Sequence, residues 1–192
     1  MRGQALVVLA LGLVACGDDH SIPPEDVGGC DGLVESVPNE AGVHMPIGSH
    51  IDWSSNPPAI GAHYPTWAGW DRHYQALDRA YYVHNLEHGG IVLLYNCPSG
   101  CPDVVESLLD VVRTAKVDTT CEGAVRNRML VVQDPMMPAE VQVAAVAWGQ
   151  VYTASCFDPY VAKFARTRYR RAPEDLCNDG VPMSGSLISF PP

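Results

Sequence analysis

Gly89-Gly90-Ile91-Val92-Leu93-Leu94-Tyr95-Asn96-Cys97-Pro98-Ser99-Gly100-Cys101-Pro102-Asp103 decides how the rest of the chain is read. An apolar run of five, held between a glycine pair and a turn rich in Pro and Gly, is too short for a buried helix. It reads as an apolar β-type run. Past the turn, Asp103 to Ala115 carries Val104, Leu108, Val111 and Val112 on one stripe, which predicts an amphipathic helix with Asp103 placed to cap its start. Met129 to Gln133 reads as a second strand closed by Asp134-Pro135, and Val141 to Tyr152 as a third, bent at Trp148-Gly149. Asp158-Pro159 then opens a final helix reaching about Arg171, with proline at the favoured first position. Arg166, Arg168, Arg170 and Arg171 read as its solvated end, favoured by the helix dipole. The order strand, helix, strand, strand, helix predicts one α+β domain with a small mixed or antiparallel sheet and two flanking helices.

Upstream, the rhythm is lost. From Cys30 to Trp70 the chain is rich in Pro, Gly, Ser and aromatics, and the three prolines of Asn56-Pro57-Pro58-Ala59-Ile60-Gly61-Ala62-His63-Tyr64-Pro65 exclude a helix interior. This predicts a long irregular segment wrapped over the core, with Trp53, Trp67, Trp70 and Trp148 as core or lid residues. Asp71 to His88 can hold a short helix, because Leu77, Ala80, Tyr81 and His84 share a face.

The first residues predict the compartment. Arg2 precedes an apolar run from Ala5 to Val14 and then Leu13-Val14-Ala15-Cys16, the pattern of a bacterial lipoprotein signal. The expectation is a signal peptide over 1–15, a lipidated Cys16, a polar tether over 16–29 and one globular domain over 30–192. Acyl chains on Cys16 would hold the protein at a membrane surface without crossing it. With 12 basic and 22 acidic side chains the formal net charge is −10, which argues against nucleic acid as a partner. Six further cysteines, Cys30, Cys97, Cys101, Cys121, Cys156 and Cys177, fit up to three disulfides in an oxidising compartment. Pairing Cys30 with Cys177 would close the longest loop.

All seven histidines lie within the first 88 residues. His84 and His88 are four apart with Glu87 between them, so on a helix both rings share one face. His84-x-x-Glu87-His88 also matches the inverted zinc-protease signature, but Gly89-Gly90 and a strand follow where those enzymes continue the helix. His44 and His63, each in a tight proline-containing segment, offer further imidazoles. Four imidazoles with Glu87 suit zinc or copper better than calcium or magnesium. The alternative is a set of buried histidines satisfied by hydrogen bonds.

His44-Met45-Pro46-Ile47-Gly48, the Asn56 to Pro65 block, Val83-His84-Asn85-Leu86-Glu87-His88-Gly89-Gly90 and Ala147-Trp148-Gly149 together resemble an uncharacterised bacterial family, domain of unknown function 3105, over about Val43 to Arg171. The resemblance implies an exported or membrane-attached protein. It carries over to His44, His63, His84, His88 and Glu87, and leaves His20, His50 and His73 as surface or tether residues. Asn96 to Pro102 is locally similar to the Cys-Pro-x-x-Cys-Pro loop of Sco-type copper chaperones, in which both thiolates bind copper. Here the histidine would have to come from His84 or His88. Otherwise Cys97 and Cys101 are structural partners of each other or of Cys121 and Cys156, or a reactive redox pair.

These readings converge on a lipid-anchored domain that binds a transition metal, copper before zinc, in metal handling at the envelope. A metal-dependent hydrolase with Glu87 as general base, and a metal-free disulfide-stabilised interaction module, are the alternatives.

Overall fold

A computed structural model describes residues 29–190. The signal peptide, Cys16, His20 and nearly all of the tether lie outside the described residues. One mixed sheet organises the domain. Its strands are β1 (Leu33–Ser36), β2 (Arg72–Tyr74), β3 (Ile91–Tyr95), β4 (Met129–Gln133), β5 (Val143–Ala147), β6 (Gln150–Ala154) and β7 (Ser186–Leu187), and the helices are α1 (Arg79–Glu87), α2 (Pro102–Thr114) and α3 (Tyr160–Arg168). Across the sheet the order is β1-β6-β5-β3-β4-β2-β7. β4 runs parallel to both β2 and β3, whereas β5 and β6 are antiparallel to their neighbours.

β3 sits centrally and every residue in it is buried. Because side chains alternate along a strand, Ile91, Leu93 and Tyr95 face one core, against Leu108 and Val112 of α2 and Val161, Phe164 and Ala165 of α3. Val92 and Leu94 face the other, against Tyr82, Val83 and Leu86 of α1 and the aromatics Trp70 and Tyr74 of the irregular segment. The sequence-predicted wrap therefore forms, with α1, the layer on the second face. Two helical crossovers make this topology possible: β2 reaches β3 through α1, and β3 reaches β4 through α2.

The α+β class stands, with three helices instead of two. The segment from Val141 to Tyr152 is two strands: Trp148-Gly149 is a hairpin turn, with Gly149 at φ +71° where glycine carries no Cβ penalty. Asp103 lies inside the first turn of α2 and does not cap it; the capping position is Cys101, with Pro102 next. Asp158 does act at the start of α3, its Oδ1 accepting from the Tyr160 N–H at 2.7 Å. β1, β2 and β7, at four, three and two residues, are too short for a period-two pattern to show.

Three disulfides close: Cys30–Cys156, Cys97–Cys101 and Cys121–Cys177. The Cys30–Cys177 pairing is overturned by strand pairing. β1 runs antiparallel to β6, so the chain just before β1 meets the chain just after β6, where the Ser155 N–H donates to the Cys30 carbonyl at 2.8 Å. Three disulfides are the mark of an oxidising environment. Among the described residues no helix is long and apolar enough to cross a membrane.

Candidate metal centre

α1 is set in place from both ends. Asp78 caps its start, with Oδ1 accepting from the Ala80 N–H at 2.9 Å. Its end closes on Gly89 at φ +82°, whose N–H donates to the Leu86 carbonyl. Gly90 is required by space: a Cβ there would lie 2.6 Å from the Trp70 ring. Midway, the fully buried Asn85 side chain pairs twice with the backbone of Ala68, donating to its carbonyl at 2.8 Å and accepting from its N–H at 3.0 Å. That pair fastens α1 to the wrap.

The wrap is fastened in turn to itself. His44 and His63 form an isolated parallel bridge, in which the Met45 N–H donates to the His63 carbonyl at 2.7 Å and the His63 N–H to the Val43 carbonyl at 3.0 Å. The rings of His44, His63 and His84 consequently pack together, with centroids 4.7 to 5.0 Å apart. One ligating atom from each of His44, His63, His84 and Glu87 lies within 4.8 Å of all the others. Two donors on one ion at about 2.1 Å lie about 3.4 Å apart in a tetrahedral site, so small side-chain rotations suffice to close this group on a metal.

Hydrogen bonding fixes which ring nitrogens point inward. His63 Nδ1 lies 2.9 Å from the Gly61 carbonyl and His84 Nδ1 lies 2.6 Å from the Tyr64 carbonyl. A carbonyl only accepts, so both Nδ1 atoms carry the proton and both Nε2 atoms present lone pairs to the cluster. This is the arrangement in which backbone groups orient metal-binding histidines. His63 Nε2 is buried without a hydrogen-bond donor and faces Glu87 Oε2 at 3.0 Å. Two acceptors at that distance call for a proton or a cation between them.

His88 stands one step back. Its Nε2 lies 3.1 Å from His84 Nε2 and 3.1 Å from Glu174 Oε2, both of which can only accept, so it carries the proton and donates toward both. Its carbonyl accepts from the fully buried Arg128 at 2.9 Å, and its ring packs edge-on against Trp67. Burial, reinforced by the neighbouring imidazoles, pushes both His84 and His88 down to about 4. Both rings are therefore neutral at pH 7, the form that ligates. His44 is exposed while His63 and His84 are buried, so the site opens to solvent along one rim.

His50 is exposed beside Asp52. His73 departs from the expected surface position: it is half-buried on β2, its Nε2 2.9 Å from the Tyr95 hydroxyl. The Sco-like copper set does not assemble. His88 precedes β3 and Cys97 follows it, and a five-residue strand separates them by about 17 Å at about 3.3 Å per residue. Cys97 and Cys101 are moreover joined to each other. Asp118 lies close to Cys121 and Cys177, but those sulfurs are paired and Asp118 serves Arg128 at 3.1 Å.

Asn85, Glu174 and Gly42 escape sequence reasoning. Asn85 sits inside a recognisable motif but looks like any polar helix residue. Glu174 arrives from 86 positions beyond His88 with no motif around it. Gly42 announces nothing, although a Cβ there would lie 2.0 Å from Glu87 Oε1.

The family model described as "Protein of unknown function (DUF3105)" matches residues 44–180, a span that holds His44, His63, His84, Glu87 and Glu174. Comparison with curated proteins and with solved structures gives no match.

Proposed function

Because the chain belongs to the DUF3105 family, whose matched span begins at His44, we propose that it is an exported, lipid-anchored protein that binds one divalent transition metal ion for metal handling at the cell envelope. His44, His63, His84 and Glu87 hold the ion. The observation that carries this reading is the pair of backbone carbonyls that pins the protons of His63 and His84 on Nδ1 and leaves both Nε2 lone pairs inside the cluster, that of His63 facing Glu87 and that of His84 facing His88. Three nitrogens and one oxygen suit Zn²⁺ or Cu²⁺, and the Irving–Williams order puts copper above zinc. With both candidate thiols of the Cys97 loop oxidised, the preference is for Cu²⁺ and not Cu⁺. His88 belongs to the supporting layer: when a metal takes the His84 lone pair, its N–H turns to Glu174. The signal peptide directs export and is removed, and acyl chains on Cys16 supply the membrane attachment.

Elemental analysis and titration of the purified protein with Zn²⁺ and Cu²⁺ test this reading. One ion per chain is expected, lost when His84 and His88 are both changed to alanine. His44→Ala controls for folding, because His44 is exposed; it should lower affinity by more than about tenfold, or 1.4 kcal/mol. Unchanged stoichiometry and affinity in both variants would remove the proposal. The open rim at His44 favours a second reading, a metal-dependent hydrolase in which Glu87 is general base. Glu87→Gln separates the two: it spares metal binding and removes turnover in a hydrolase, whereas in a closed carrier site it weakens binding.

A further inference from the structure

The Cys97–Cys101 bridge has a different character from the other two disulfides. Cys30–Cys156 and Cys121–Cys177 join residues 126 and 56 positions apart, so each removes a long loop from the unfolded chain. Cys97–Cys101 spans four, and a ring that small restricts the unfolded chain far less. Stabilisation is therefore a weak reason for its existence.

Its position supplies a better one. β3, α2 and β4 form a parallel βαβ unit, and the two cysteines occupy the junction between the strand and the helix. That end of the sheet, the carboxyl end of its parallel strands, is where open α/β sheets carry their ligand-binding loops. A cysteine pair at such a junction is the arrangement of thioredoxin-like redox motifs, here with one more residue between the sulfurs. The two sulfurs are also differentiated. Cys97 is 7% exposed, whereas Cys101 is partly exposed at the N-cap of α2, with the exposed Pro98-Ser99-Gly100 before it and the exposed Pro102 after it. Among the described residues no side chain caps α2, so the N–H groups of its first turn beyond Pro102, those of Asp103 and Val104, are free to stabilise a thiolate on Cys101.

We propose that Cys97–Cys101 is a redox-active disulfide that oxidises dithiols, with Cys101 as the exchanging sulfur and Cys97 as the buried leaving and resolving sulfur. A substrate thiolate attacks Cys101 Sγ; the Cys97–Cys101 bond breaks, a mixed disulfide forms on Cys101, and Cys97 leaves as a thiolate that takes a proton from solvent. The second substrate thiolate attacks the substrate sulfur of that mixed disulfide, forming the substrate's disulfide and releasing Cys101 as a thiolate at the head of α2. Two electrons pass from the dithiol to the protein, and the two thiol protons end on Cys97 and Cys101 through solvent. This activity is independent of the metal centre, which lies at the opposite end of β3.

The test uses the full chain with dithiothreitol as the dithiol. In graded mixtures of reduced and oxidised dithiothreitol, alkylation followed by mass spectrometry should show Cys97 and Cys101 opening together while the other four stay blocked and near-UV circular dichroism is unchanged. In Cys97→Ser, dithiothreitol should release the mixed disulfide formed between Cys101 and glutathione at least about tenfold faster than it reduces oxidised glutathione at the same pH, as expected for a leaving Cys101 sulfur assisted by the start of α2. With Cys97→Ser the remaining Cys101 thiol should react with a disulfide reagent at least about tenfold faster than Cys97 does in Cys101→Ser. Another disulfide opening first, a rate no faster than oxidised glutathione, or a more reactive Cys97 would each overturn the proposal.

Discussion

The two ends of β3 are built in opposite ways. At its carboxyl end the Cys97–Cys101 pair is local, complete within five residues of sequence and shaped by one turn and one helix start. At its amino end the histidine group draws on the wrap for His44 and His63, on α1 for His84 and Glu87, and on the chain after α3 for Glu174. Locality governs what each end does for the fold. A local ring leaves the fold nearly as it finds it, whereas a centre assembled from three distant segments exists only when those segments are folded against one another. Binding at the histidine end is therefore coupled to global stability more strongly than chemistry at the cysteine end.

The largest effect that would sharpen this contrast comes from the disulfides. On the loop-entropy model, opening Cys30–Cys156 by paired serine substitution removes about 5 kcal/mol, and opening Cys97–Cys101 about 2 kcal/mol or less. Denaturant unfolding of the two double variants measures both. Equal losses would mean that the Cys97 ring is as structural as the long-range bridge, and the contrast would fail at its local end.

Metal supplies the next effect. At one hundred times its dissociation constant, Zn²⁺ should raise unfolding free energy by about 2.7 kcal/mol. The increment should vanish in the His84→Ala/His88→Ala protein and persist unchanged in Cys97→Ser/Cys101→Ser, read by thermal melts with and without metal. Loss of the increment in the cysteine variant would show that the two ends are coupled.

The same contrast explains what could be read in advance. The apolar run of β3, the stripe of α2 and the His84-Glu87-His88 spacing are short-range signals, each contained in one turn or one strand. β1, β2 and β7 carry no such signal, since a strand of two to four residues is defined by the strands it pairs with. The convergence of His44 with His63 was legible only as two histidines in proline-rich segments; the bridge between them is a backbone pairing that side-chain types do not encode. Asn85 and Glu174 act through partners 17 and 86 residues away, beyond any local pattern. The Cys30–Cys177 pairing failed for the same reason, because the longest loop is not the one that the β1–β6 register brings together, whereas the local Cys97–Cys101 pair was among the readings the sequence offered.

Asp71 gives a pH handle at the histidine end of the sheet, just ahead of β2. Burial raises its carboxyl to about 6 even though the backbone N–H of Arg126 donates to Oδ2 at 2.6 Å. A folded value raised above the unfolded one means that the folded chain binds the extra proton between about pH 4 and 6. Its contribution to stability is whole below that window and is lost as pH rises through about 6, at most about 3 kcal/mol. Asp71→Asn keeps the acceptor and tolerates the left-handed backbone at φ +55°. The variant should be more stable than the parent at pH 7 and should lack the parent's loss of stability between pH 4 and 6, as measured by urea unfolding across that range.

The finest test sits inside the centre. Gly42 is exposed, and the nearest atom to an added Cβ is the flexible end of Glu87, at 2.0 Å, with His63 Cε1 at 3.3 Å. Gly42→Ala therefore displaces a carboxylate and disturbs neither helix nor sheet, so its unfolding free energy should stay within about 0.5 kcal/mol of the parent, the range of ordinary surface substitutions. If Glu87 is a ligand, moving its oxygen out of reach of His63 weakens metal binding by about tenfold, or 1.4 kcal/mol. Titration calorimetry of Gly42→Ala beside Glu87→Gln gives the comparison. Matching losses assign Glu87 to the metal through the position Gly42 leaves open for it; an unchanged affinity in both variants would reduce the centre to its three imidazoles.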